Sequence, residues 1–153
     1  MPPLRPHLLW ITCLLGLMWV TEVRAQASFN YAPASGDPVV DRYLADINEY
    51  ASRYPAAFAD EMGRYYMVPR AYVEAMQEQP DWAAGDIYMA CALAQVAGQP
   101  CRAVVREWSR DHAGGWEAVA ERLQVPPGTP QFRRLRKSLD DTYRRWERPA
   151  PSP

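Results

Sequence analysis

Histidine is nearly missing from this chain: His7 and His112 are the only two in 153 residues. Histidine is the usual general base near neutral pH and a frequent metal ligand, so histidine triads and metal sites built on several histidines have no material here. Cysteine is also scarce, at three, too few for a dense disulfide scaffold. The 8 glycines are outnumbered by 15 prolines, and no Gly-rich phosphate loop, His-Glu-x-x-His or nucleophile-elbow pattern occurs. No motif implies a cofactor or a metal. The formal charge of −1 gives no excess of either sign for the chain as a whole. What is present, 48% hydrophobic and 23% charged residues, suits one ordinary domain with a real core.

The one long apolar run lies near the N-terminus. Met1–His7 carries Arg5, Leu8–Val20 holds no charge, and Thr21–Ala27 ends in small residues. That order predicts a secretory signal peptide over 1–27, cleaved after Ala25 or Ala27. The run falls short of the roughly 20 residues that span a bilayer as a helix; an uncleaved anchor is the other reading. Cys13 sits inside the run, not at its end after a small residue, which does not suit a lipid-anchored cysteine. The mature chain is therefore expected to be periplasmic or secreted, with no stable membrane anchor. Only Cys91 and Cys101 would remain, an even pair in an oxidising compartment. A disulfide clasping two adjacent helices is the expectation, two buried free thiols the alternative.

Proline punctuates the rest. Residues 28–36 show no period and read as a flexible lead-in. Asp37-Pro38 offers an N-cap acceptor followed by proline in the first turn, and Val40, Tyr43, Leu44, Ile47, Tyr50 and Tyr54 mark one helical face that stops at Pro55. Pro55 opens a segment with Phe58 and Met62 on one side, and Pro69 opens another with Tyr72, Val73 and Met76, closed by Pro80. Ile87–Ala97 is apolar nearly all round, as in the buried centre of a bundle, with Gly98 as its left-handed stop. Cys101, Val104, Val105 and Trp108 stripe the next helix; Trp116, Val119, Ala120 and Leu123 a short one; Phe132, Leu135, Leu139, Tyr143 and Trp146 the last, capped by Thr129-Pro130. No stretch has the period of a strand. The prediction is one all-α domain over 37–148, a compact irregular or orthogonal array of six or seven short helices, with a Pro-rich tail at 149–153.

Chemistry-bearing groups are few. His112 beside a reduced Cys101 would make a nucleophile and base; a His⁺ at a helix C-terminus is the simpler expectation. Glu74 and Glu78 share a helical face, and Asp60-Glu61 and Asp140-Asp141 are adjacent, spacings that usually mark solvated faces, although a glycan hydrolase would need two such acids across a cleft. Asp86, just before the most apolar helix, is expected to N-cap it. Charge is divided unevenly: Asp37–Ala90 holds 10 acidic and 4 basic residues, Cys91–Arg148 holds 7 and 11. The basic excess gathers at Arg133, Arg134, Arg136, Lys137, Arg144 and Arg145. Such a helix suits an anionic polymer or membrane surface, or the acidic half of its own fold.

Trp82-x-x-Gly-Asp86-x-Tyr88-x-Ala-Cys91-x-Leu-Ala94, Gly98-x-x-Cys101, Gly115-Trp116-x-x-Val-Ala-x-x-Leu123 and Pro127-Gly-Thr-Pro-x-Phe132-x-x-Leu135 together resemble a family of uncharacterised small exported proteins of Gram-negative bacteria. The resemblance covers about the C-terminal two-thirds of the mature chain. It implies export and a compact single domain, and transfers no catalytic residue. Gln124-Val125-Pro126 replaces a Gly-Ile-Lys-like turn, and Arg133 stands where a histidine is common. The signature residues read as a helix-packing scaffold or as a groove lined by Trp82, Asp86, Tyr88 and Trp116 for an envelope sugar or peptide.

The functional expectation is a non-enzymatic exported module that binds an envelope protein or anionic polymer, through Arg133, Arg134, Arg136 and Lys137. A lysozyme-like hydrolase using a carboxylate pair is the alternative. A helix-turn-helix nucleic-acid binder over Trp116–Lys137 is more remote, since no nucleic acid is expected outside the cytoplasm.

Overall fold

The computed structural model describes residues 31–152; the expected signal peptide and the first residues of the lead-in lie outside them. Among the described residues there are seven α-helices and no strands: α1 Pro38–Arg53, α2 Pro55–Tyr66, α3 Arg70–Gln77, α4 Ala84–Ala97, α5 Cys101–Arg110, α6 Gly115–Arg122 and α7 Pro130–Arg145. The all-α expectation is met, and among the described residues no helix is long and apolar enough to cross a membrane.

The caps explain most boundaries. Asp37 accepts from the Val39 and Val40 amides at 2.8 and 3.3 Å and starts α1 with Pro38 in the first turn. Thr129 does the same for α7 through the Phe132 amide at 3.2 Å. Gly98 ends α4 at φ 67°, the left-handed conformation glycine adopts without penalty. Met67 ends α2 at φ 56° with its side chain 90% exposed, a conformation that costs a non-glycine residue about 1–2 kcal/mol.

Helix α4 is the axle. Every residue from Gly85 to Ala94 is buried, and α4 packs on α5, α1, α7, α2 and α3. Its alanines let neighbours approach closely, while Ile87, Tyr88, Met89 and Leu93 fill the space between them. The Cys91–Cys101 disulfide forms, with Cα atoms 4.4 Å apart, and joins α4 to α5 across their turn. Closing so short a loop stabilises the fold by roughly 2.5–3 kcal/mol in the chain-entropy model.

Two expectations need correction. The first is the flexible lead-in, because its described part, 31–36, is a strap fastened to the core. Helix α6 has no side-chain cap, so its orphaned first amides need acceptors. The Pro33 and Ala34 carbonyls supply them, at 2.9 Å to the Trp116 amide and 2.8 Å to the Glu117 amide. Gly115 permits the approach, since a Cβ there would meet the Ala34 carbonyl oxygen at 2.9 Å. The second is the Asp86 cap. Helix α4 begins at Ala84 after Ala83, with no side-chain cap, and Asp86 lies inside the first turn, facing the core.

Candidate functional site

Asp86 is the centre of the first polar cluster. Its side chain is 6% exposed, and Oδ1 accepts from Tyr31 O–H at 2.9 Å and from Trp116 Nε1–H at 2.7 Å. Thus one carboxylate on α4 ties the strap to α6. Burial raises its pKa above the ordinary 3.8, against the lowering effect of the Trp116 and Tyr31 hydrogen bonds. Burial also pushes the Tyr31 hydroxyl up, reinforced by the Asp86 charge. Alongside, Gly85 N–H donates to Asn48 Oδ1 at 2.6 Å. A Cβ on Gly85 would sit 2.5 Å from the Leu44 carbonyl oxygen and 2.7 Å from the Tyr31 hydroxyl, so only glycine lets α1, α4 and the strap meet.

A second cluster crosses α2, α4 and α7. Glu61, also 6% exposed, accepts from both Arg145 Nε and Nη2, the former at 3.0 Å, and from Thr142 Oγ1 at 3.1 Å. Thr142 is 3.0 Å from the Tyr88 hydroxyl, which is bonded by the Tyr66 hydroxyl. The donors therefore run Tyr66, Tyr88, Thr142, Glu61, a chain whose members polarise one another. Burial pushes the Tyr66 and Tyr88 hydroxyls up. The Arg145 guanidinium lies 3.7 Å above the Tyr65 ring, a cation–π contact that holds the planar fork in place.

These clusters redistribute the expected groove. Tyr88 and Trp116 have no exposed surface; Trp116 stacks on Trp108 with ring centres 4.0 Å apart. With Asp86 they are core. Trp82 alone of the four is half-exposed and borders a cleft, of about 760 Å³, with Tyr31, Asn48, Glu49, Ser52 and Gln77 among its lining residues. Two smaller clefts are lined at Tyr66–Pro69 beside the disulfide and at Arg106, Arg110 and Arg122 between α5 and α6.

The basic residues of α7 divide. Arg136 reaches Asp37 at 3.4 Å, and Lys137 and Arg144 share Asp141. Beyond them Arg145 is committed to Glu61 and Arg148 to Asp46, at 2.9 and 2.8 Å. Arg133 donates to the Gly128 carbonyl at 2.8 Å, and Arg134 has no carboxylate partner among the described residues. All of Arg133, Arg134, Arg136 and Lys137 are exposed.

All but Glu78 of the paired carboxylates have structural partners among the described residues. Asp60 and Glu74 both bind Arg70, Glu61 binds Arg145, and Asp140 accepts from Tyr43, whose hydroxyl is pushed up to about 12 by burial and that bond. None of the three clefts is lined by two acids. The bonded Cys101 ends the thiol–imidazole pair. His112 Nδ1 instead donates to the Trp108 carbonyl at 3.1 Å, at the C-terminus of α5. Helix α6 packs on α5, whereas α7 packs on α4 and α1, so α6 and α7 lack the mutual packing of a helix-turn-helix. No group of three or more His, Cys, Asp or Glu among the described residues could hold a metal ion.

Sequence reasoning missed Asn48 and Tyr31, and it read Glu61 and Arg145 as part of an acidic pair and a basic cluster, not as partners in a buried ion pair. For Glu61 a signal exists: it stands three residues after Phe58 and four before Tyr65, on the apolar stripe of α2. Comparison with protein-family models, with curated proteins and with solved structures finds no match.

Proposed function

We propose that this chain is an exported, non-enzymatic helical module that binds a phosphate-bearing anionic polymer of the cell envelope through the outer face of α7. The observation that carries the reading is the uncompensated charge of Arg133 and Arg134, on an exposed face that Lys137 extends. Export is supported independently by the basic, apolar, small-residue order of residues 1–27 and by the Cys91–Cys101 bond, a feature of oxidising compartments. A carboxylate-pair hydrolase is disfavoured because the candidate acids are occupied by Arg70, Arg145 and Tyr43. The resemblance to small exported Gram-negative proteins agrees with this placement and adds no activity.

Binding of purified lipopolysaccharide to the mature chain tests the reading. The affinity should fall as salt rises, because exposed charges are screened within about 8–10 Å at physiological ionic strength. Changing Arg133, Arg134, Arg136 and Lys137 together to Ala should lower affinity at least tenfold in a chain that stays folded, its stability reduced only by the loss of the exposed Arg136–Asp37 and Lys137–Asp141 pairs, worth about 0–1 kcal/mol each. Unchanged binding in that variant defeats the α7 assignment. Expression of the full chain in a Gram-negative host, followed by intact mass, should show an N-terminus at Gln26 or Ser28.

A further inference from the structure

The cleft bordered by Trp82 is separate from the basic face of α7, and its chemistry is different. It is formed by α1, the start of α2, the end of α3 and the Pro80–Ala84 connection, and the N-terminal strap closes one side with Tyr31. Its volume, about 760 Å³, lies within the range of small-molecule sites. Two of its walls are held rigid. Tyr31 is fixed by its bond to Asp86, and Asn48 by the Gly85 amide on its Oδ1, which leaves the Asn48 NH₂ group without a partner among the described residues. Gln77 makes no side-chain hydrogen bond there either. Ser52 donates to the Glu49 carbonyl at 2.8 Å and keeps its hydroxyl lone pairs as acceptors.

We propose that this cleft is a binding site for a neutral saccharide. The lining combines two aromatic side chains, Trp82 and Tyr31, with two amides, a hydroxyl and one carboxylate. A sugar ring presents just these complements: an apolar C–H face for an aromatic ring and a rim of hydroxyls, each both donor and acceptor. Charge favours neither ion class. Glu49 is the one charged lining residue, and Arg53, 3.8 Å from it, leaves the rim without net charge, so neither an anion nor a cation finds an uncompensated partner. The other lining residues, mainly Ala and Pro, are too small to make the deep apolar pocket that would anchor a lipid chain or a large peptide side chain. Because Tyr31 forms a wall, the site is complete only when the strap has docked on α4 and α6. Binding therefore depends on a segment that begins a few residues beyond the expected signal cleavage point.

The test is an NMR titration of the mature chain with chitotriose, maltotriose and lactose, following the Trp82 indole and the Asn48 and Gln77 side-chain amides. At least one sugar should shift these signals saturably at millimolar concentration, leaving the indole of the buried Trp116 unmoved. Gln77→Ala should weaken binding several-fold with an unchanged melting curve, and Trp82→Ala with Gln77→Ala should weaken it at least tenfold in a chain that stays folded although Trp82 also packs on the core, whereas the fourfold α7 variant should bind the sugar as the parent does; loss in the folded α7 variant would place the site elsewhere and overturn the proposal. Silence with all three sugars overturns it, as does a saturable shift that survives in the Trp82, Gln77 variant. A neutral peptide of Ala, Ser and Gln that shifts the same signals while the sugars do not replaces it with a peptide site.

Discussion

At the scale of single residues, the groups that looked most chemical are the ones most firmly used for structure. Asp86 is the sharpest case. Replacing it with Ala strands the Tyr31 hydroxyl and the Trp116 indole N–H inside the protein, at a cost of about 2–4 kcal/mol for two unsatisfied donors. Asp86→Asn keeps an acceptor oxygen for both and should stay close to the parent in urea unfolding. The pH dependence separates them further. Because burial raises the Asp86 pKa in the folded state above 3.8, the native chain binds this proton more tightly than the unfolded chain does. Its contribution to stability therefore increases as pH falls through the folded pKa and levels off near the unfolded value, an increment that Asp86→Asn should lack. Gly85→Ala, with its Cβ driven onto the Leu44 carbonyl, should cost about 3 kcal/mol, at the upper end for overpacking, read as a lowered urea midpoint. Spacing reveals that Asp86 and Gly85 are special; it is silent on why, because their partners Tyr31, Asn48 and Trp116 lie 30 to 55 positions away.

Among the elements, caps and prolines do most of the local work, and they were legible. Asp37-Pro38, Pro55, Gly98 and Thr129-Pro130 all fall where helices begin or end, because capping is chemistry between near neighbours in sequence. The strap was not legible. Residues 31–36 carry no periodicity, and their role is to give carbonyls to α6, which lacks a cap of its own. A chain beginning at Gly36 should melt well below one beginning at Ser28, since it loses the Pro33 and Ala34 acceptors together with Tyr31. At the C-terminus of α2, Met67→Gly should raise stability by about 1 kcal/mol in denaturant unfolding, relieving a left-handed residue whose side chain contacts almost nothing. The Cys91–Cys101 clasp gives a third measurement at this scale. Alkylation without reductant should find no free thiol in the mature chain, and replacing both cysteines with Ser should cost roughly 2.5–3 kcal/mol.

For the whole molecule, the uneven charge along the chain becomes an internal fastening. Three basic groups near the C-terminus reach the acidic N-terminal half: Arg136 to Asp37, Arg145 to Glu61 and Arg148 to Asp46. Glu61→Gln should destabilise the fold by roughly 3 kcal/mol, because it leaves a half-buried Arg145 without its counter-charge, and thermal melting of the variant checks it. What remains unpaired on α7 supports the anionic-polymer reading, and the cleft at Trp82 a neutral one, so the molecule offers two surfaces of different chemistry. The sequence by itself determined the fold class, the helix boundaries at Asp37, Gly98 and Thr129, the buried central helix and the even cysteine pair, and supplied the order of residues 1–27 on which the export proposal chiefly rests, since each depends on local order or spacing. Tertiary structure decided which polar groups are available. Tyr88, Trp116 and Asp86 are spent in the core, Trp82 faces a cleft, and Arg136, Arg145 and Arg148 are neutralised by carboxylates 84 to 102 residues distant. Periodicity places a side chain on a face of its own helix; only the packing of seven helices determines what that face meets.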